Sequence, residues 1–127
     1  MNDLTNADLI WNRACTGDLN GALDGDTALA MLLEFHGYAM NGGVLDAVEC
    51  LGDERVAAAK EGYKFFGFVD VAHLISEAEA IAASAADLDL HEAVFDQRYH
   101  RLIPSDSTLS DRFEAVLRDK PAEFAPL

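Results

Sequence analysis

Glu92, Asp96 and His100 recur at i, i+4 and i+8, a spacing that lines one face of a helix. Two carboxylates and an imidazole in that register can hold zinc or iron, or divide acid–base work between them. Helix-borne metal sites usually draw ligands from a second helix as well, and His73 and Glu77, one turn apart, could supply them. In a chain with 23 Asp and Glu such a set arises cheaply, so a metal-binding enzyme using Glu92, Asp96 and His100 is an alternative and not the leading reading. Asp18 to Asp26 hints at a calcium loop, but the ligand positions fail. Counted from Asp18, the fifth, sixth and twelfth places hold Ala22, Leu23 and Leu29. Counted from Asn20, Gly25 falls correctly at the sixth but Met31 occupies the twelfth, where a closing Glu is required. There is no glycine-rich phosphate loop, nucleophile elbow or HExxH. Ser76 and Ser84 have no base nearby in sequence. The expectation is a non-enzyme without cofactor or metal. His36, between Phe35 and Gly37, reads as a hydrogen-bonded core or corner residue. Cys15 and Cys50 are far apart, form no CxxC, and are expected as buried free thiols of a reducing compartment.

Charge is the more informative signal. The formal net charge is -14 over 127 residues. Such a surface repels nucleic acid and anionic membranes and attracts basic proteins. From Asp70 to Asp96 there are seven acids (Asp70, Glu77, Glu79, Asp87, Asp89, Glu92 and Asp96) and no Lys or Arg. Solvated helices usually mix signs at i, i+4; this stretch does not. Carboxylates spaced over several helical turns could stand in for a phosphate backbone, and these seven are the expected contact residues for a basic partner. The competing reading is that the acidity serves only solubility. Direct nucleic-acid binding is not expected, because the five bases after residue 97 are interspersed with acids.

The elements that would carry these residues read as helices throughout. The chain is organised around Asp26 to Leu51, where one strongly apolar helix, N-capped by Asp26, stops at Asn41-Gly42-Gly43 and a second restarts at once. Thr5, with Asp8 three residues on, caps a helix to about Thr16. Asp53 caps one from Glu54 to about Phe66, and the aromatic cluster Phe65, Phe66 and Phe68 then reads as a core plug. Asp70 to Ala86 has an inner stripe of Val71, Leu74, Ile75, Ala78, Ile81, Ala82 and Ala85. Leu88 to Leu102 follows, ended by Pro104, and Ser107 or Ser110 caps a helix to Arg118. Phe124 is expected to tuck against that last helix. The fold class is therefore all-α: one compact domain over residues 1–127 with six or seven short to medium helices. No stretch approaches the apolar length of a membrane span. Residues 1–25 lack the apolar run of a secretory leader, and the expected location is cytoplasmic.

Several of these segments resemble a known family. Asn41-Gly42-Gly43 after an apolar helix, Phe95-Asp-Gln-Arg-Tyr99, Leu109-Ser-Asp-Arg-Phe-Glu-Ala-Val-Leu117 and Lys120-Pro-Ala-Glu-Phe124 are together similar to a bacterial family of small acidic helical domains that includes a DNA-mimic protein. The similarity covers about residues 28–125. It implies an all-helical fold, a homodimer and, from its characterised activity, an acidic surface that occupies the DNA-binding face of a transcription regulator. Most members are of unknown function, and no catalytic residues are implied. On this reading the chain is a non-enzymatic protein-binding domain. Its partner is a basic protein, with a DNA-binding regulator as the candidate, and Asn41, Gly42 and Gly43 form the structural corner.

Overall fold

A computed structural model describes residues 5–84 and 87–127. Within them lie seven α-helices, a short 3-10 turn and no strand. The helices are α1 (Asn6–Cys15), α2 (Asp24–Gly42), α3 (Val44–Leu51), α4 (Asp53–Phe65), α5 (Val69–Ala83), α6 (Leu88–Leu102) and α7 (Asp106–Asp119), with the 3-10 turn at Pro121–Glu123. The all-α expectation holds, and no helix is long and apolar enough to cross a membrane.

α2 is the central element. It packs against α1, α3, α4 and the 3-10 turn, while α5 lies on α3, α4 and α6. Leu29, Leu32 and Phe35 on α2 are buried, as are Val44 and Leu45 on α3 and Leu74 and Ile75 on α5. The α2–α4 crossing is closest at Gly62, where a Cβ would collide with the Ala28 carbonyl oxygen. At the core's other end Phe66, Phe113 and Phe124 stack edge to face or tilted. Phe65 and Phe68 are half-buried, and the Arg112 guanidinium lies 5.2 Å from the Phe68 ring centroid. The aromatic cluster is thus a core plug, and Phe124 is tucked in as expected.

Several local expectations need correction. Asp26 is not the cap of α2. The helix begins two residues earlier, and Asp26 sits at its third position, buried, accepting from the Leu23 N–H at 3.0 Å and the Ala125 N–H at 2.7 Å. Arg13 neutralises it at 2.7 Å. A carboxylate that fastens both α1 and the C-terminal arm is worth more there than at a solvent-facing cap, because its removal would take the acceptor from two part-buried backbone donors and from Arg13 at once. Asn41 and Gly42 belong to α2, so Gly43 alone makes the corner. Its φ of 99° is open to glycine and costly for any L side chain. α7 starts at Asp106 with Ser105 as its N-cap, not at Ser107 or Ser110. α5 spans Val69–Ala83, and the expected inner residue Ala85 lies outside the described residues. Both cysteines are free but exposed, not buried. On α1 the inward positions are Ile10 and Ala14, and on α3 they include Ala47 and Leu51. Cys15 and Cys50 each sit one residue, or about 100°, from an inward position.

Candidate protein-docking surface

The corner at Gly43 brings α3 onto α6. The first free N–H of α3, that of Val44, donates to Asp96 Oδ1 at 2.9 Å. This is a cap supplied by a residue 52 positions away, and it satisfies a donor that the helix start would otherwise leave open. Gly43 allows the approach, since a Cβ there would stand 3.0 Å from Asp96 Oδ2. Asp46 crowds Gly42 on the other side. A polar cleft of about 390 Å³ opens at this corner, lined by Asn41, Gly42, Gly43, Asp96, Tyr99 and His100 among others.

The seven acids between Asp70 and Asp96 do not act as one set. Glu77 is held by Arg98 at 2.5 Å and Glu79 by Lys60 at 2.5 Å, so the absence of bases along the sequence is not an absence in space. Asp96 is committed to α3. Asp87 caps α6, its carboxylate accepting from the Asp89 N–H at 3.0 Å. Asp70, Asp89 and Glu92 are exposed, and among the described residues none of the three pairs with a cation. Asp89, Glu92 and Asp96 fall at i, i+3 and i+7 and share one edge of α6. Since α3 packs on α6, its own acids Asp46 and Glu49 extend the negative surface past the corner. Those two lie outside the Asp70–Asp96 run, and their i, i+3 spacing just after the corner was the available signal.

α6 itself is unusual in how little it buries. Of its fifteen residues only Phe95 and Tyr99 are fully inside, with Leu88 and Leu102 packed beside them. Leu90 is 74% exposed and Val94 52% exposed. They lie one turn apart on the outward face. Two apolar stripes on one helix, Phe95/Tyr99 and Leu90/Val94, are legible in sequence, although a helix covering one core needs a single stripe.

Beneath this surface runs a buried polar chain. Tyr63 OH lies 2.6 Å from Tyr99 OH, Tyr99 OH lies 2.7 Å from His36 Nδ1, and His36 Nε2 lies 2.8 Å from Asp106 Oδ1. The exposed Asp106 carboxylate accepts, so with a neutral ring Nε2–H donates to it and Nδ1 accepts from Tyr99. Tyr99 in turn accepts from Tyr63. Four helices, α2, α4, α6 and α7, are joined by one directional set of bonds. Burial is the main cause that pushes both phenols well above their ordinary range, so both keep the protons they donate. His36 is thereby the bonded core residue expected from its context, and no buried side-chain polar atom among the described residues lacks a partner.

The metal alternative fares poorly. Among the described residues no three of His, Cys, Asp and Glu converge as a metal site requires. Asp96 is turned to the Val44 N–H, and Glu77 is engaged with Arg98, which takes two of the candidate ligands out of play. Compared with known protein families, curated proteins and solved structures, the chain matches none. The family similarity noted above therefore rests on its short motifs alone.

Proposed function

We propose that this protein is a non-enzymatic binding domain that presents helix-borne carboxylates to a basic protein, with a DNA-binding protein as the partner class it fits. The observation that carries this is the edge formed by Asp89 and Glu92 on α6, both exposed and, among the described residues, paired with no cation, continued by Asp46 and Glu49 on the adjoining α3. Carboxylates on packed helices lose little backbone entropy on docking and can pair with Arg and Lys that otherwise meet phosphates. Association would be fast and weakened by salt. The homodimer belongs to the same proposal, with a contact that leaves this edge open. Sedimentation that finds only monomer at physiological salt would remove it. A second reading, acidity for solubility alone, is favoured by the internal pairing of Glu77 and Glu79.

Capture from cell extract at ~0.05 M and ~0.5 M salt separates the two. The docking reading expects a basic DNA-binding protein retained only at low salt and displaced by duplex DNA. It also expects Glu49→Lys, Asp89→Lys and Glu92→Lys together to abolish retention. If the triple variant captures the same protein equally well, this surface is not the site.

A further inference from the structure

The arm that follows α7 is held by one ring and by its main chain. Phe124, 5% exposed, packs against Phe113 and Phe66, with ring centroids 5.5 Å and 6.5 Å away. α2 leaves room for it by placing Gly25 there, where a Cβ would stand 2.8 Å from the ring. Asp26 Oδ2 accepts the Ala125 N–H at 2.7 Å. Arg13 donates to the Ala125 carbonyl at 3.0 Å and to the Pro126 carbonyl at 3.2 Å. All three bonds read backbone, so they constrain neither side chain. Position 126 is asked only for a carbonyl, which suits a residue without an N–H.

The seat stands without the arm. Asp26 keeps Arg13 at 2.7 Å and the Leu23 N–H at 3.0 Å. Phe113 keeps Phe66 and Trp11 as ring neighbours. The arm in turn carries its own turn, in which the Glu123 and Phe124 N–H groups donate to the carbonyls of Lys120 and Pro121. Lifting it sends its freed backbone groups and the 30% exposed Arg13 side chain to water, and strands no buried polar group. What opposes lifting is chiefly the burial of one phenylalanine, a factor of about ten to 150.

From this arrangement we infer that the seat is a docking site for an extended Phe-X-Pro segment of another protein, and that the Phe124 arm is a strap that fills it in cis and competes with that segment. Such a segment supplies a ring against Phe66 and Phe113, an N–H for Asp26 and two successive carbonyls for Arg13. A second copy of this chain is the poorer source, because its own segment is already held intramolecularly at high effective concentration. The seat is built from α1, α2, α7 and the residue that closes α4. It uses none of the carboxylates on α6, so the inference is independent of the acidic reading.

The probe is a fluorescein-labelled peptide with the sequence of residues 119–127, read by anisotropy against the full chain. Phe124→Ala, whose arm has lost its ring, should keep its helical circular dichroism. It should bind the probe at least about tenfold more tightly than the unaltered protein does, because the competitor in cis is weakened. Replacing the probe's phenylalanine by alanine, or methylating the backbone nitrogen of the residue after it, should each weaken binding to that variant by at least about tenfold. In the unaltered protein, hydrogen exchange should find the Ala125 amide at least about tenfold less protected than those of residues 29–35 in α2, since a strap opens without global unfolding. Loss of helical signal in Phe124→Ala, or an Ala125 amide protected as strongly as α2, makes the arm part of the core and overturns the inference. So does a probe that binds both proteins alike, fails to bind the variant, or binds it equally well without its ring or its N–H.

Discussion

Tyr99→Phe removes one oxygen from the middle of the buried chain, and its cost should exceed that of the same deletion at the more deeply buried Tyr63. Tyr99 OH serves two neighbours: it accepts from Tyr63 OH at 2.6 Å and donates to His36 Nδ1 at 2.7 Å. Without it, the Tyr63 hydroxyl loses the acceptor it has among the described residues, in a site with no solvent exposure, and His36 loses its donor while 8% exposed. Each orphaned buried group costs about 1–3 kcal/mol, so Tyr99→Phe, which orphans two, should destabilise by about 2–6 kcal/mol. That is a large part of the ~5–15 kcal/mol available to an ordinary domain. Tyr63→Phe removes only the terminal donor. Tyr99 OH still donates to His36, and what disappears is one net hydrogen bond, about 0.5–1.5 kcal/mol. In the double variant the Tyr63 donor is no longer present to be orphaned, so the combined cost should fall below the sum. Urea unfolding followed by circular dichroism measures all three, with unchanged slopes as the check that only stability has moved. A Tyr63→Phe cost equal to or above that of Tyr99→Phe would refute the assigned direction of the chain.

Two further outcomes follow from the same structure. Tyr63 and Tyr99 have folded pKa values raised above the unfolded phenol value of about 10. Their stabilisation is therefore complete below that pH and is lost as pH climbs toward the folded values, because the unfolded state releases its protons first. Stability should decline above about pH 10, and phenolate absorbance from these two should rise together with loss of helix; ionisation well before unfolding would contradict their burial. Gly62→Ala should destabilise by about 1–3 kcal/mol through overpacking against the Ala28 carbonyl, whereas Gly37→Ala, with nothing within 4 Å, should stabilise by up to about 1 kcal/mol through helix propensity. Paired thermal melts of the two variants check this, and equal effects would mean that α2 and α4 do not meet as closely as described.

Helical periodicity and punctuation were enough to place Leu88–Leu102 and Val44–Leu51 and to mark Thr5 with Asp8 as a capping box, now seen with both bonds formed. These features depend on neighbours within a turn or two, where residue type speaks directly to local backbone geometry. The same locality explains the errors. Asp26 is a good cap by type, yet a cation on α1 and the arm at Ala125 draw it inward; Cys15 and Cys50 lie in apolar stretches but fall just off the buried arc. Gly37 and Gly62 are both glycines within helical patterns, and only the crossing of α2 with α4 tells them apart. The acidic run from Asp70 to Asp96 was visible as composition. Its division into paired Glu77 and Glu79, the capping Asp96 and Asp87, and Asp70, Asp89 and Glu92, which pair with no cation among the described residues, was not, because pairing depends on which distant bases the fold brings within reach. The chain of residues by itself determined a helical domain with surplus negative charge, since period and charge are additive along the sequence. Tertiary structure alone decided which carboxylates are spent holding helices together, joined Tyr63, Tyr99 and His36 across 63 positions, and left Leu90 and Val94 facing water, because each of these depends on contacts between segments that the sequence keeps apart.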